Sequence, residues 1–466
     1  MTEQELRALF LAQKRFFDEG HTKPYAFRRD ALRRLSMAVK SNESALLKAL
    51  SADLGKPEDE AWVAEVGAVL AEARYAQGRL RQWMRPRSVP MPLLYQPSRG
   101  YVRDEPYGAC LILSPWNYPL GLALTPLVSA LAAGNCVMLK PSSKAPHTSR
   151  EIARILTEAF LPEHVFCIEG GAHTAELLLD QGFDFIFYTG SAKVGRQVMA
   201  TAARTLTPMV LELGGKSPCI VDRNLSDAHV VTAARRIVWG KFLNAGQTCV
   251  APDYVLVHAG VKVELEAALV RAVKEFFGTD PSRSPAFGRI VNQDHYQRLT
   301  GLQAATRGRK LFGGDNHSGE LYMAPAVFTD VHADDPLMQE EIFGPILPVL
   351  TVDSLASAIA FINARPKPLA LYLFTDNDEA VARVLRDTAS GGVCINDTAL
   401  QLGPRTLPFG GVGESGMGRY HGQAGFEVFG YQRSVMRRGF RPDWKFRYPP
   451  RPKLTGFKKA LLRWLG

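Results

Sequence analysis

Residues 109–140 read ACLILSPWNYPLGLALTPLVSALAAGNCVMLK. Two short apolar runs, CLILS at 110–114 and CVMLK at 136–140, flank a stretch from Leu120 to Ala133 with the length and composition of a helix. A strand, a helix and a second strand in succession require a crossover, so the two strands lie parallel and the connection is right-handed. The alternation continues outward through HVFCI at 164–168, FDFIFY at 183–188 and MVLEL at 209–213, with a helical stretch from Ser149 to Phe160 among them. Strands apolar along their whole length belong in a sheet covered by helices on both faces. The stretch from Tyr101 to Val221 therefore predicts a Rossmann-like α/β domain, whose ligands gather beyond the carboxyl ends of its strands.

Upstream, Leu6, Leu9 and Phe10, and then Leu32, Leu35, Ala38 and Val39, recur at helical spacing with Arg and Lys opposite them, so Glu3 to Met84 reads as a helical preface. Downstream, SPCIVD, DYVLVH, ILPVLT, LALYLF and GGVCIN alternate with amphipathic helices up to about Asn396 and predict a second α/β domain. The boundaries expected are 1–211 for the preface and nucleotide-binding domain, with a bridging segment near 85–105, then 212–400 for the second domain. Residues 401–430 are glycine-rich, with GGVGESGMG at 410–418, and return to the first domain. Residues 431–448 alternate aromatic and basic side chains and form an exposed arm, and 449–466 are a tail.

Composition excludes several classes of protein. Of 466 residues 46% are hydrophobic and 22% charged, the profile of a globular chain of two or three domains. No run of about eighteen apolar residues offers a membrane span, and Met1 to Gly20 lacks the apolar core of a signal sequence, which points to the cytoplasm. The six cysteines form no CxxC pair, so neither a metal site nor a disulfide framework is expected. The net charge of +10 is concentrated in Arg433, Arg437, Arg438, Arg441, Lys445, Arg447, Arg451, Lys453, Lys458, Lys459 and Arg463, so it is a property of the C-terminus.

Four short segments can carry chemistry. Cys249 follows the small, polar Gly246, Gln247 and Thr248 at the end of a helical run, where a thiol is exposed, whereas Cys110 and Cys136 sit inside apolar runs. The competing reading of Cys249 is a structural thiol. Glu212 lies within the apolar LELGGKSP at 211–218, so its carboxylate is either satisfied by neighbouring amides or held with a raised pKa as a general base. Asn117, in SPWNYP at 114–119, follows a strand end and can donate amide hydrogens to a ligand, or simply turn the chain before Pro119. In FYTGSAKVG, at 187–195, a strand enters a turn bearing Gly190, Ser191 and Gly195; without a full dinucleotide fingerprint it reads equally as any strand-to-helix turn.

LELGGKSP and SPWNYP, with GQTCVAPDYV at 246–255, EEIFGP at 340–345 and PFGGVGESGMGRYHG at 408–422, occur together in an order that resembles the aldehyde dehydrogenase superfamily. The resemblance is to its class 3 branch of fatty and aromatic aldehyde enzymes and runs to about Tyr448. It implies NAD- or NADP-dependent oxidation of aldehydes to acids, with Cys249 as nucleophile, Asn117 and the Cys249 backbone N–H holding the oxyanion, and Glu212 activating water. It further implies that Gly190, Ser191 and Gly195 approach the cofactor diphosphate, that Lys140 binds the adenosine ribose, and that Glu341 and Phe343 hold the nicotinamide ribose. Where NAD-preferring relatives often carry a glutamate this chain has Ser143, followed by Lys144, so use of both NAD and NADP is expected. The threonine common in the glycine loop is here Ala192.

The resemblance also implies a homodimer in which the arm adds a strand to its partner. In LTGFKKALLRWLG, Phe457, Leu461, Trp464 and Leu465 share one helical face, opposite Lys458, Lys459 and Arg463. That helix reads as a peripheral membrane contact, a lid over the substrate, or a piece packed on its own domain. Two other classes stand beside the enzyme: a nucleic-acid binder built on the basic tail, and a structural protein on an enzyme fold. Confinement of the charge to the tail argues against a nucleic-acid partner, and the intact Asn117, Glu212 and Cys249 argue against a scaffold.

Overall fold

The computed structural model describes residues 2–443, 447–450 and 455–465; of the tail, Lys445, Arg451, Lys453 and Leu454 lie outside them, as do the side chains of Lys458, Leu461 and Leu465. The opening stretch forms the strands Ala109–Leu113 and Cys136–Lys140 around the helix Gly121–Ala133. Almost every residue of that helix is buried, because it is apolar all round and has no face to offer water. The two strands pair in parallel, and with Val165–Cys167, Phe185–Gly190 and Met209–Leu213 they make the core of a six-stranded sheet, which Gly416–Met417 closes as an antiparallel edge.

Strand periodicity decides what each face does. Cys110, Ile112, Val137, Leu139, Phe185, Phe187 and Val210 pack against the helices of the preface and Gly121–Ala133. Ala109, Leu111, Leu113, Met138, Ile186, Leu211 and Leu213 pack against the opposite layer, which includes Leu6, Phe10, Leu178 and Val198. Glu212 shares the face of Val210, two residues away, so its carboxylate points into the first layer.

The second sheet has seven strands in the order Arg309–Phe312, Ala326–Thr329, Ile346–Val352, Tyr254–His258, Pro218–Val221, Ala370–Phe374 and Gly392–Ile395, all parallel except the first. The expected mixed α/β class holds. Two of these strands are absent from the sequence reading: Arg309–Phe312 opens on Arg309 and Lys310, both exposed at the sheet edge, and Ala326–Thr329 is only four residues long. A third, antiparallel sheet joins Arg87–Val89, Ser98–Pro106 and Gly430–Arg438. Its middle strand carries Arg99, Arg103, Asp104 and Glu105, which masked it as loop.

The preface is helical as expected, in Glu3–Asp18, Tyr25–Ser41, Glu43–Leu54, Glu58–Ala61 and Gly67–Trp83. Between the last two, Trp62–Val66 winds as one wider π-type turn. That turn buries Glu65, whose Oε2 accepts from the N–H groups of Leu120 and Gly121 at 2.9 and 3.1 Å, where the following helix presents unpaired donors.

Candidate active site

The helix Asp227–Phe242 ends in a turn in which Asn244, Ala245 and Gly246 take φ values of 52, 51 and 76°. Three left-handed residues in a row are costly for side chains, so the turn persists only because its surroundings fix it. The Asn244 amide side chain donates to Asn117 O at 2.7 Å and to Gln247 O at 3.2 Å, and its backbone N–H donates to Glu60 Oε1 at 2.9 Å. Gln247 in turn donates to Asn244 O and Arg289 O, and accepts from the Val291 N–H. A Cβ on Gly246 would lie 2.2 Å from Gly344 O, so the glycine lets the EEIFGP segment approach the turn.

This turn delivers Cys249 half-buried to the wall of a cavity of about 1050 Å³. Aromatic and aliphatic side chains dominate the lining, including Trp239, Phe242, Phe276, Phe277, Phe409 and Tyr420. Burial pushes the Cys249 thiol up to about 12, and the Glu341 and Glu212 carboxylates push the same way; the N–H groups of Cys249 and Val250 oppose them. The other cysteines are buried, apart from half-buried Cys394.

Asn117 and Glu212 are both buried and neither lines the cavity wall; Glu212 acts on the thiol, and Asn117 bonds to the backbone two residues before it. One hydrogen of the Asn117 amide reaches Gln247 O at 3.0 Å, which aims the group and leaves its second N–H to donate elsewhere. Its backbone carbonyl is fixed by Lys56 Nζ at 3.0 Å, and Lys56 is itself fully buried in an ion pair with Glu65. Neither carboxylate oxygen of Glu212 has a hydrogen-bond partner, and burial raises its pKa well above the ordinary range, with Arg419 opposing.

Glu341 and Phe343 do not line the cavity, although the Glu341 carboxylate acts on the thiol. Glu341 is pushed up to about 8, first by burial and then by Asp253, and its carboxylate occupies the space beside Gly214, where a Cβ would meet Oε2 at 2.1 Å. The segment carrying it is in no helix; Arg298 Nη2 donates to Ile342 O at 2.7 Å, and the Ile342 N–H donates to Asp253 Oδ1 at 3.0 Å. The ring of Phe343, at a φ of 49°, meets Trp116 edge-on at 5.4 Å, joining EEIFGP to SPWNYP.

The remaining cofactor candidates line the carboxyl ends of the six-stranded sheet. Lys140 ends its strand and donates to Pro141 O and Gly170 O at 2.8 and 2.9 Å, which leaves one ammonium hydrogen. Ser143 is exposed, and Lys144 Nζ lies 3.2 Å from His295 Nε2. Ser191 caps the helix Ala192–Ala203 by accepting from the Val194 N–H at 3.4 Å. Gly190 ends the preceding strand, whereas buried Gly195 has a packing role, since a Cβ there would stand 2.8 Å from Leu213 Cδ2. Ser114 Oγ and Thr189 Oγ1, at the ends of adjacent strands, are buried without partners. Orphaned hydroxyls, a capped helix N-terminus and a lysine with a spare hydrogen fit a polar, phosphate-bearing ligand such as a dinucleotide. Among the described residues no group of three or more His, Cys, Asp or Glu is placed to hold a metal.

Several residues at the site are invisible to pattern reading. The Tyr118 hydroxyl pairs with Thr248 Oγ1 at 2.7 Å, and the His421 ring, pushed down to about 3 by burial, lines the cavity as a neutral imidazole. Trp116 and Tyr118 flank Asn117 within the quoted motif, so the motif itself contained that signal. Glu60 and His421 depend on contacts distant in sequence.

A parallel, helix-covered sheet with orphaned polar groups at its strand ends, together with a thiol on an apolar cavity, defines the class: an α/β enzyme with a dinucleotide-type site. The profile of the aldehyde dehydrogenase family matches residues 1–435, and the chain belongs to that family. It is 45% identical to 4,4'-diaponeurosporen-aldehyde dehydrogenase of Staphylococcus aureus over 97% of this chain and 98% of that one. It is 46% identical to human aldehyde dehydrogenase family 3 member B1 over 93% and 92%. The structure of Staphylococcus aureus AldH in its substrate-bound state superposes with a TM-score of 0.95 at 43% identity, covering 99% of each chain. The chain is an oxidoreductase that uses NAD or NADP to oxidise aldehydes.

Proposed function

We propose that this enzyme converts medium- or long-chain aliphatic, or aromatic, aldehydes to carboxylic acids through a thioester on Cys249. The observation that carries the proposal is the half-buried thiol on the wall of a large, predominantly apolar cavity. The names of two relatives support the substrate class, one a 4,4'-diaponeurosporen-aldehyde dehydrogenase and one a family 3 aldehyde dehydrogenase. Cys249 attacks the aldehyde carbon as its thiolate, and the oxyanion is held by the free N–H of the Asn117 amide and the Cys249 backbone N–H, on the order of 3 kcal/mol per donor. NAD or NADP, when bound, supplies the hydride acceptor. Lys140, Ser143, Gly190, Ser191, Glu341 and Phe343 would hold it, with Gly195 shaping the helix beneath. Loss of hydride leaves the thioester; Glu212, once ionised, takes a proton from water, hydroxide displaces sulfur, and the acid leaves.

Ser143 and Lys144 place no acid against a 2′-phosphate, which supports use of both cofactors, and a mouse relative at 42% identity is named as dimeric and NADP-preferring. In the division of labour that follows, 1–211 binds the cofactor, 212–400 supplies Cys249, 401–430 returns to the first sheet, 431–448 pairs with a second copy and 449–466 is a tail. We place the enzyme in the cytoplasm; no helix among the described residues is long and apolar enough to cross a membrane. The exposed Phe457 and Trp464 support a peripheral contact of the C-terminal helix, which packs beside the turn Leu93–Tyr95; none of its described side chains lines the cavity. Following absorbance of reduced nicotinamide over a panel of aldehydes tests the whole reading. Cys249→Ala is expected to abolish turnover, and Glu212→Gln to keep a first burst of reduced cofactor while turnover falls by about 10²–10⁴. The kcat/KM values with NAD and NADP are expected to lie within about a hundredfold, nearly 3 kcal/mol. Full activity of Cys249→Ala overturns the mechanism.

A further inference from the structure

The run Glu58, Asp59, Glu60 starts a helix of the preface, and an acidic first turn needs no explanation beyond the helix dipole. Glu60 differs from its neighbours in where its carboxylate goes. All three line the apolar cavity, but Glu58 and Asp59 are exposed, whereas Glu60 is half-buried and accepts the Asn244 N–H through Oε1 at 2.9 Å, across 184 residues of sequence. Asn244 opens the left-handed turn that presents Cys249, and its side chain grips both Asn117 O and Gln247 O. One carboxylate therefore reaches the nucleophile turn and the oxyanion loop through a single intermediary.

The charge around Glu60 is not cancelled. Lys56 is the nearby cation, but it is committed to Glu65 and to Asn117 O, so Lys56, Glu65 and Glu60 together carry one net negative charge when ionised. Glu60 is the member of that group that lines the cavity, where the exposed Glu58 and Asp59 add negative charge and the lining cation Arg405 is paired with Glu72. Glu60, Tyr118 and Cys249 line the same cavity; burial raises the Tyr118 phenol most, and the Glu60 carboxylate and the Cys249 thiol push the same way. In an apolar channel a fixed negative charge near the thiol repels a second anion far more strongly than it would in water.

We propose that Glu60 is a positioning residue that anchors the turn bearing Cys249 and, from the same place on the cavity wall, makes the enzyme select neutral aldehydes over aldehydes that carry a carboxylate. The inference rests on the aldehyde-oxidising reading given above. A carboxylate in this position also bears on product release: a neutral substrate enters past it, and the anionic product is repelled from the site.

Two variants separate the parts of the proposal. Glu60→Gln keeps an oxygen that can accept the Asn244 N–H and removes the charge; Glu60→Ala removes both. The assay compares an n-alkanal with an aldehyde of equal length ending in a carboxylate, at pH 8.5, where Glu60 is ionised, and includes the single-turnover burst and cofactor affinity. Glu60→Gln is expected to raise the ratio of kcat/KM for the carboxylated aldehyde to that for the alkanal at least tenfold. Glu60→Ala is expected to slow the burst with the alkanal by ten- to a hundredfold while cofactor affinity stays unchanged. If Glu60→Ala does not fold, the selectivity of Glu60→Gln decides. Unchanged selectivity in Glu60→Gln, or a normal burst in folded Glu60→Ala, overturns the proposal while wild-type activity leaves the parent reading intact. A wild type that reduces no nicotinamide with any aldehyde overturns that reading instead.

Discussion

Cys249 presents an apparent contradiction for a nucleophile, because burial and two carboxylates hold its thiol up at about 12, where an exposed thiol would ionise nearer 8.5. The resolution lies in what the two acids do. Burial raises both above the ordinary carboxylate range, and Glu341, pushed up to about 8, is largely protonated near neutral pH, so the repulsion it exerts there on a thiolate is weak. The sign of the pH dependence follows: below its pKa a thiol gains thiolate tenfold per pH unit, so alkylation of Cys249 by iodoacetamide without cofactor should rise steadily from pH 6 upward. Above about 8 the ionised Glu341 should flatten that rise, and Glu341→Gln should remove the flattening and speed alkylation there. A plateau reached already between pH 6 and 7, measured by mass spectrometry of the Cys249 peptide, would mean the thiolate is preformed and would sink this account.

At the scale of elements, the nucleophile depends on a turn that packing holds in place. Gly246 is held at a φ of 76° with Gly344 O where a Cβ would go, so Gly246→Ala combines a strained backbone with a collision that no flexible side chain can relieve. A loss of about 2–4 kcal/mol in stability is expected, and activity should fall further than stability because EEIFGP and the thiol separate together. Calorimetry and a burst assay measure the two, and a variant with normal Tm and rate would refute the packing argument. The same contrast explains what sequence could reveal. The strands of the first sheet were legible because a parallel strand buried on both faces reads as a continuous apolar run, as in CVMLK and FIFY. Ser98–Pro106 was not, because its side chains are mostly solvated or half-buried and its order comes from pairing with Gly430–Arg438 far along the chain. At the site, Cys249, Glu212 and Asn117 stand out as residues whose chemistry clashes with their local pattern, a thiol after a polar turn or an acid inside a strand. Glu60 sits in an acidic helix start where nothing clashes, and only its contact with Asn244 gives it meaning.

For the molecule as a whole, two unfinished edges point to a second copy. Every residue of Gly392–Ile395, the last strand of the seven-stranded sheet, is half-buried, although its neighbour Ala370–Phe374 is fully buried. An apolar strand of the sequence GVCI left half open is a template for pairing or aggregation unless something covers it. The nine-residue strand Gly430–Arg438 is the outer strand of its own sheet and, with Tyr431 and Met436 exposed, offers a free edge of its own. Joining the arm of one chain to the open edge of another satisfies both rows of backbone groups, and a two-fold arrangement does so twice. Light scattering at micromolar concentration is therefore expected to give twice the 51.3 kDa of the chain. Hydrogen exchange sharpens the test, since the amides of Gly430–Arg438 and Gly392–Ile395 should be protected together in the associated state and lose protection together on dilution. A monomer whose arm amides are already protected at nanomolar concentration would show that each edge is satisfied within its own chain, and the dimer would have no physical cause.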